Sequence, residues 1–121
     1  MLDVSTSVRD LERAVEAPEI VRALKGYGLT QQEIGAIAGV SDRAVRQWSQ
    51  AGIKPERYDR LIEVREIALL LSDSLSPRGV GQWLHAKNRL LHSERAIDLL
   101  AQGRGDEVRV AAKAFIDGAY V

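Results

Sequence analysis

The stretch Leu29–Gln50, LTQQEIGAIAGVSDRAVRQWSQ, decides how the rest of the chain is read. Thr30 followed three residues later by Glu33 forms a capping box at a helix start. Leu29 and Ile34 flank that cap as a hydrophobic staple. The spacing predicts a helix over 31–38, closed by Gly39, the residue that most readily turns left-handed. Ser41 then caps a second helix, and Val40 with Val45 repeats the staple. Two capped starts separated by one glycine predict a helix-turn-helix. Ile34, Ile37 and Ala38 mark the inner face of the first helix, and Val45 and Trp48 that of the second.

Asp42, Arg43, Arg46 and Gln47 are left outward on the second helix. Arginine and glutamine pair bidentately with guanine and adenine edges in a major groove. Gln31, Gln32, Ser41, Arg43, Arg46 and Gln47 are therefore the candidate DNA-contacting set. A purely structural helical hairpin with a solvated outer face stays open beside it.

Seventeen basic residues balance seventeen acidic ones. Nucleic-acid affinity rests largely on phosphate neutralisation, so a neutral monomer is a weak binder. Arg43, Arg46, Lys54, Arg57 and Arg60 cluster around the second helix, but Asp42, Glu56 and Asp59 dilute them. Doubling the site in a homodimer is the expected remedy.

To the N-terminal side, the pattern predicts a helix from a Ser7 cap to about Glu16, with Val8, Leu11 and Val15 inward. A second helix is expected from Pro18 to about Lys25. To the C-terminal side, Pro55 opens a long helix to about Ser72. Its run Ile67–Leu71 is apolar all round. That run is expected to be buried on every side, by a second copy of the chain or by the chain itself. Ser72–Gly79, SDSLSPRG, is the clearest break. It divides the chain into 1–72 and 73–121. Beyond it, helices are expected over 80–86, over 94–101 with Ser93 as cap, and from about Arg104 to Asp117. The last carries Val108, Ala111, Ala112 and Phe115 on one face. No stretch alternates long enough to predict a strand, so the fold class is all-α.

The chain has no cysteine, which excludes disulfides, thiolate metal sites and cysteine nucleophiles. His85 and His92 are seven apart and read as surface residues rather than metal ligands. No nucleophile elbow or phosphate loop is present. Neither an enzyme nor a cofactor is expected. No apolar run reaches membrane-spanning length, and the start lacks a secretory pattern, so a cytoplasmic protein is expected.

The final residues, Gly118-Ala119-Tyr120-Val121, combine a glycine with a large amphipathic anchor suited to a partner's pocket. Packing on the chain's own helices, or fraying, stays open for this tail.

Taken with the helix-turn-helix, one further set of residues is distinctive. Trp83-Leu84, Asn88-Arg89, Leu91, Asp98-Leu99-Leu100, Gly103 and the ending Gly118-x-Tyr120-Val121 resemble the toxin-binding C-terminal domain of the Xre/ParS/MbcA-type antitoxins. The resemblance covers nearly the whole chain. Lys87 and Ala96 stand where that family usually carries proline. The resemblance implies a partner, a RES-domain toxin that consumes NAD⁺. It also implies that Gly118, Ala119, Tyr120 and Val121 plug the toxin's active-site entrance. Asn88 and Arg89 would belong to the flanking loop, and the complex would repress its own operon by binding operator DNA. A dimeric helix-turn-helix repressor without a toxin, and a helical adaptor, are the competing readings.

Overall fold

The computed structural model describes residues 4–118. The expected tail residues Ala119, Tyr120 and Val121 lie outside the described residues. Among the described residues there are seven α-helices, in the order α1 (Val4–Gly26), α2 (Gln31–Ala38), α3 (Asp42–Ala51), α4 (Pro55–Leu71), α5 (Pro77–His85), α6 (Ala96–Ala101) and α7 (Gly105–Ile116). Between α5 and α6 the chain makes a small hairpin, β1 (Lys87–Asn88) and β2 (Glu94–Arg95), around a single 3-10 turn (Arg89–Leu91).

The all-α expectation holds, with that hairpin as the exception. Lys87 pairs with Arg95 and Asn88 with Glu94, antiparallel. Ser93 does not cap a helix. The Ser93 N–H closes on the Asn88 carbonyl at 2.8 Å, and both His92 and Ser93 adopt positive φ, 56° and 66°. The hairpin thus takes the first two residues of the expected helix, Glu94 and Arg95, and α6 starts only at Ala96.

The two expected N-terminal helices are one. α1 runs straight through Pro18. Proline removes the N–H that would bond the carbonyl four residues earlier and crowds that carbonyl. Tertiary burial outweighs this, because Ala17, Ile20, Val21 and Leu24 are all in the core. The expected inner face of the first half is wrong. Val8, Leu11 and Val15 are 48%, 66% and 60% exposed.

α1 and α4 run side by side in the same direction. The Tyr58 hydroxyl, near the start of α4, donates to the Glu16 carboxylate. At the other end Tyr27 meets Ser72 at 3.2 Å. The Ser72 hydroxyl already gives its proton to the Ala68 carbonyl at 2.7 Å, so Tyr27 is the donor to Ser72. Burial and the Glu16 contact push the Tyr58 phenol up to about 12.

In the apolar run of α4, Ile67, Ala68 and Leu71 are buried within the chain while Leu69 faces out at 55%. Own-chain packing, against α1 and α7, accounts for the buried part of that run. α5 begins three residues before its expected start. Ser76 accepts the Gly79 N–H, and Pro77 occupies the first turn, the arrangement proline favours. One continuous apolar core links the helix-turn-helix residues Ile34, Val45 and Trp48 to Leu84, Leu99 and Val108 of the C-terminal half.

Candidate functional site

The reader unit is built as its residues require. Thr30 accepts the Glu33 N–H at 3.1 Å, and Glu33 accepts the Thr30 N–H at 2.8 Å, completing the capping box. Gly39 closes α2 with φ 79°. Gly35 lets the turn fold back onto α2, since a β-carbon there would stand 2.8 Å from the Val40 carbonyl. The Ser41 hydroxyl accepts the Ala44 N–H at 3.2 Å and starts α3. Val45 and Trp48 anchor α3 in the core.

Arg43, Arg46 and Gln47 are exposed on the outer face of α3, and Gln32 and Ser41 are exposed beside them. The Arg46 guanidinium lies 4.0 Å from Asp42, both more than half exposed, a pairing too solvated to hold the arginine back. Gln31 differs. Its amide donates to the Asp42 carbonyl at 3.2 Å and accepts from Lys25 at 2.8 Å. It ties α1 to the start of α3.

The expected basic cluster is thinner than its sequence. Arg57 turns inward, donates to the Ala38 carbonyl at 3.0 Å and covers Gly39. It caps α2 rather than facing outward. The Arg60 guanidinium lies over Gly103, between α6 and α7.

At the other end, Asn88 is half-buried and its side chain accepts the Leu90 N–H at 2.9 Å, shaping the loop. Arg89 is exposed. Both line a groove of about 250 Å³ with Trp83, Ala86, Leu90 and Phe115. The Trp83 and Phe115 rings stack at a tilt, centroids 6.2 Å apart. Phe115 sits in the last turn of α7, and Gly118 follows at φ 73°. Asn88, Arg89 and the start of the tail therefore share one end of the molecule. Leu90 and Phe115 were not singled out as site residues. Phe115 read as core, and Leu90 lies on a hairpin that no period announced.

A second feature was missed. The half-buried His85 is not a surface residue. Its Nε2 meets Glu33 at 2.8 Å and its Nδ1 meets the Gly81 carbonyl at 2.7 Å. Burial pushes the Glu33 carboxyl up, but the Thr30 N–H, the His85 ring and the Thr30 hydroxyl outweigh it and hold the carboxyl below its ordinary 4.5. His92 is exposed. Among the described residues, no group of three or more His, Asp or Glu side chains could hold a metal ion. No described helix is long and apolar enough to cross a membrane.

No family-level sequence profile matches the chain. It is 65% identical over 111 residues to a probable mycobacterial cidal antitoxin of Mycobacterium tuberculosis, covering 92% of this chain and 96% of the relative. It is 31% identical over 109 residues to the mycobacterial cidal antitoxin MbcA of Mycobacterium bovis, covering 88% and 96%. Its fold is similar to a chain in the crystal structure of the M. tuberculosis MbcT-MbcA toxin-antitoxin complex. The TM-score is 0.72 and the identity 30%, over 88% of this chain and 98% of that one.

Proposed function

Because this chain belongs to the MbcA-type family of mycobacterial cidal antitoxins, we propose that it neutralises a cognate RES-domain, NAD⁺-consuming toxin by seating its C-terminal segment over the toxin's active site. The complex then binds operator DNA through α3 and represses its own operon. One observation carries the toxin-binding part. Asn88 and Arg89 border the same aromatic groove as Phe115, on the helix from which Gly118 and the tail leave. The contact surface is then a single patch: Trp83, Leu90 and Phe115 supply apolar area, Arg89 a charged rim, and Tyr120 with Val121 the plug. Such an inhibitor needs no chemistry of its own. It needs shape and the exclusion of substrate.

The exposed Arg43, Arg46 and Gln47 support the DNA-binding part, and the exposed Gln32 and Ser41 beside them would serve as contacts to the phosphate backbone. Gln31, engaged at both ends of its amide, serves by orienting α3. A net charge of zero leaves little long-range attraction to DNA. Binding as a homodimer, or with the toxin attached, compensates by doubling the contacts.

The test measures NAD⁺ consumption by the toxin with full-length chain, with residues 119–121 deleted, and with Arg89→Ala. The deletion is expected to restore toxin activity while leaving the circular dichroism spectrum unchanged, and Arg89→Ala to weaken inhibition. Full silencing by the deleted form removes the plug. In parallel, Arg46→Ala is expected to cost about 1–3 kcal/mol of operator binding. An unchanged promoter titration removes Arg46 from the reader set.

A further inference from the structure

The end of α1 and one face of α5 enclose a cleft of about 430 Å³. Arg78, Gly81, Gln82 and His85 recur at i, i+3, i+4 and i+7 and form a single stripe along α5. Lys25 and the loop at 26–28 make the opposite wall. Among the described residues, no acidic side chain lines the cleft. Trp83 and Ala86, elsewhere around α5, belong to the aromatic groove instead. The two walls are fixed against each other. Gly81 leaves no room for a β-carbon beneath the Tyr27 carbonyl, and His85 is bonded to Glu33 at the start of α2. The Glu33 carboxylate is thereby engaged by His85 and by the Thr30 N–H.

The cleft is also tied to the helix proposed to read DNA. The Lys25 ammonium donates to the Gln31 side-chain oxygen at 2.8 Å. The Gln31 amide donates in turn to the carbonyl of Asp42, the first residue of α3, at 3.2 Å. Gln31 is neutral, so it orients the ammonium without cancelling its charge, and an ammonium has three N–H groups to offer. Arg78 and Gln82 are exposed across the cleft. Arg78 takes part in no salt bridge among the described residues. A concave site lined by cations without an acid attracts polyanions. Two arginines near α3 are meanwhile turned to other work: Arg57 bonds the Ala38 carbonyl, and Arg60 lies over Gly103. We propose that the cleft holds a phosphodiester of the DNA backbone beside the bases that α3 reads, with Lys25 and Arg78 as its charged contacts and Gln82 as a neutral one.

The inference rests on the DNA-binding reading of α3 and extends it into the C-terminal half, since Arg78 lies beyond the connection that follows α4. Phosphate contacts set position and register without reading sequence. Each neutralised phosphate also releases condensed counterions, which steepens the dependence of binding on salt. Arg78 therefore has a signature that Arg46 lacks. Removing a phosphate contact weakens binding alike on every sequence and makes the salt dependence shallower, whereas removing a base reader relaxes the preference for one sequence.

The experiment titrates two labelled duplexes, the DNA upstream of the chain's own gene and a scrambled duplex of equal length, at several salt concentrations. The full-length chain is used alone and saturated with its toxin. Arg78→Ala is expected to weaken binding to both duplexes about fivefold to tenfold at 0.1 M salt. The slope of log affinity against log salt is expected to become shallower by about 1. Arg78→Lys is expected to restore most of both, and the thermal melt to stay unchanged because Arg78 is exposed. The control is Arg9→Ala, the same charge change about 24 Å further along α1, expected to leave affinity and slope as in wild type. If Arg46→Ala abolishes the preference for the upstream duplex while Arg78→Ala changes neither affinity nor slope, the cleft is overturned and the α3 reading stands. If neither form of the wild type binds either duplex at low salt, the α3 reading fails and the cleft with it. An equal effect of Arg9→Ala assigns the loss to net charge and overturns the cleft. So does inorganic phosphate that raises the melting temperature of wild type but not of Arg78→Ala, with DNA binding the same in both, because the cleft then takes free phosphate.

Discussion

At Gly35 two physical effects oppose each other, and the structure says which wins. In a helix interior, Gly→Ala normally stabilises by up to about 1 kcal/mol, because the glycine backbone loses more freedom on folding. At Gly35 the added β-carbon would stand 2.8 Å from the Val40 carbonyl and 3.2 Å from the Ser41 carbonyl carbon. Both neighbours are backbone, fixed by the turn that starts α3, so they cannot yield cheaply. Gly35→Ala is therefore expected to destabilise by about 1–3 kcal/mol, read in a urea titration. Gly26 is the control. Nothing stands within 4 Å of its β-position, and Gly26→Ala is expected to stabilise by about 0.4–1 kcal/mol. If both substitutions stabilise, the close approach between α2 and the turn is wrong. In the sequence Gly35 is a small residue within a short helix, which permits a close approach; that the approach is to the turn is not legible there, because the partner atom is a carbonyl and carries no sequence signal.

Elements were legible where side chains fix the backbone locally, and illegible where tertiary packing does. The caps Thr30, Ser41 and the closing Gly39 gave α2 and α3 their observed boundaries. Pro18 was read as a helix start, the local preference, yet four buried residues around it carry α1 through. The hairpin at 87–95 was invisible for the opposite reason. Two consecutive positive-φ residues, His92 and Ser93, are held by the strand pairing and by their backbone N–H bonds to the Arg89 and Asn88 carbonyls, bonds that carry no sequence signal. The Glu33–His85 contact belongs with these, since it joins residues 52 apart. It makes the start of α2 sensitive to acid. The Glu33 carboxyl is held below its unfolded value of about 4.5, so its ionised form stabilises the fold. That contribution is fully present above about pH 4.5 and is lost as pH falls through the lower folded-state value. Glu33→Gln is expected to lower stability at neutral pH by about 1 kcal/mol or more, and to flatten the acid limb of a plot of unfolding free energy against pH. Parallel acid limbs for the two proteins would mean that Glu33 is not a group whose protonation loosens the fold.

Over the whole molecule, the two halves share one core while their proposed tasks sit at separate sites. Leu61, Val64, Ile67, Ala68 and Leu71 of α4 are buried between α1 and α2 on one side and α7 on the other. Gly81 of α5 lies so close to the Tyr27 carbonyl that a β-carbon there would collide with it. His85 fastens α5 to the start of α2, and Arg109 of α7 reaches Glu66 of α4 at 2.9 Å. A chain divided at residues 72–79 into two independently stable units would lose these contacts in two steps. A shared core predicts one step, because exposing either half strips apolar surface from the other. The two tryptophans test this directly, since Trp48 is buried in the helix-turn-helix and Trp83 lines the C-terminal groove. Trp83→Phe leaves a reporter in the first half, and Trp48→Phe leaves one in the second. In each variant the tryptophan fluorescence transition in urea is expected to coincide with the loss of far-ultraviolet circular dichroism. Trp48→Phe shifts its own midpoint downward because it opens space in the core. A fluorescence transition displaced from the circular dichroism transition in either variant would mean that the halves unfold separately. Coincidence has a functional consequence: a toxin that binds the groove stabilises the whole fold by mass action, and with it the helix that is proposed to read DNA.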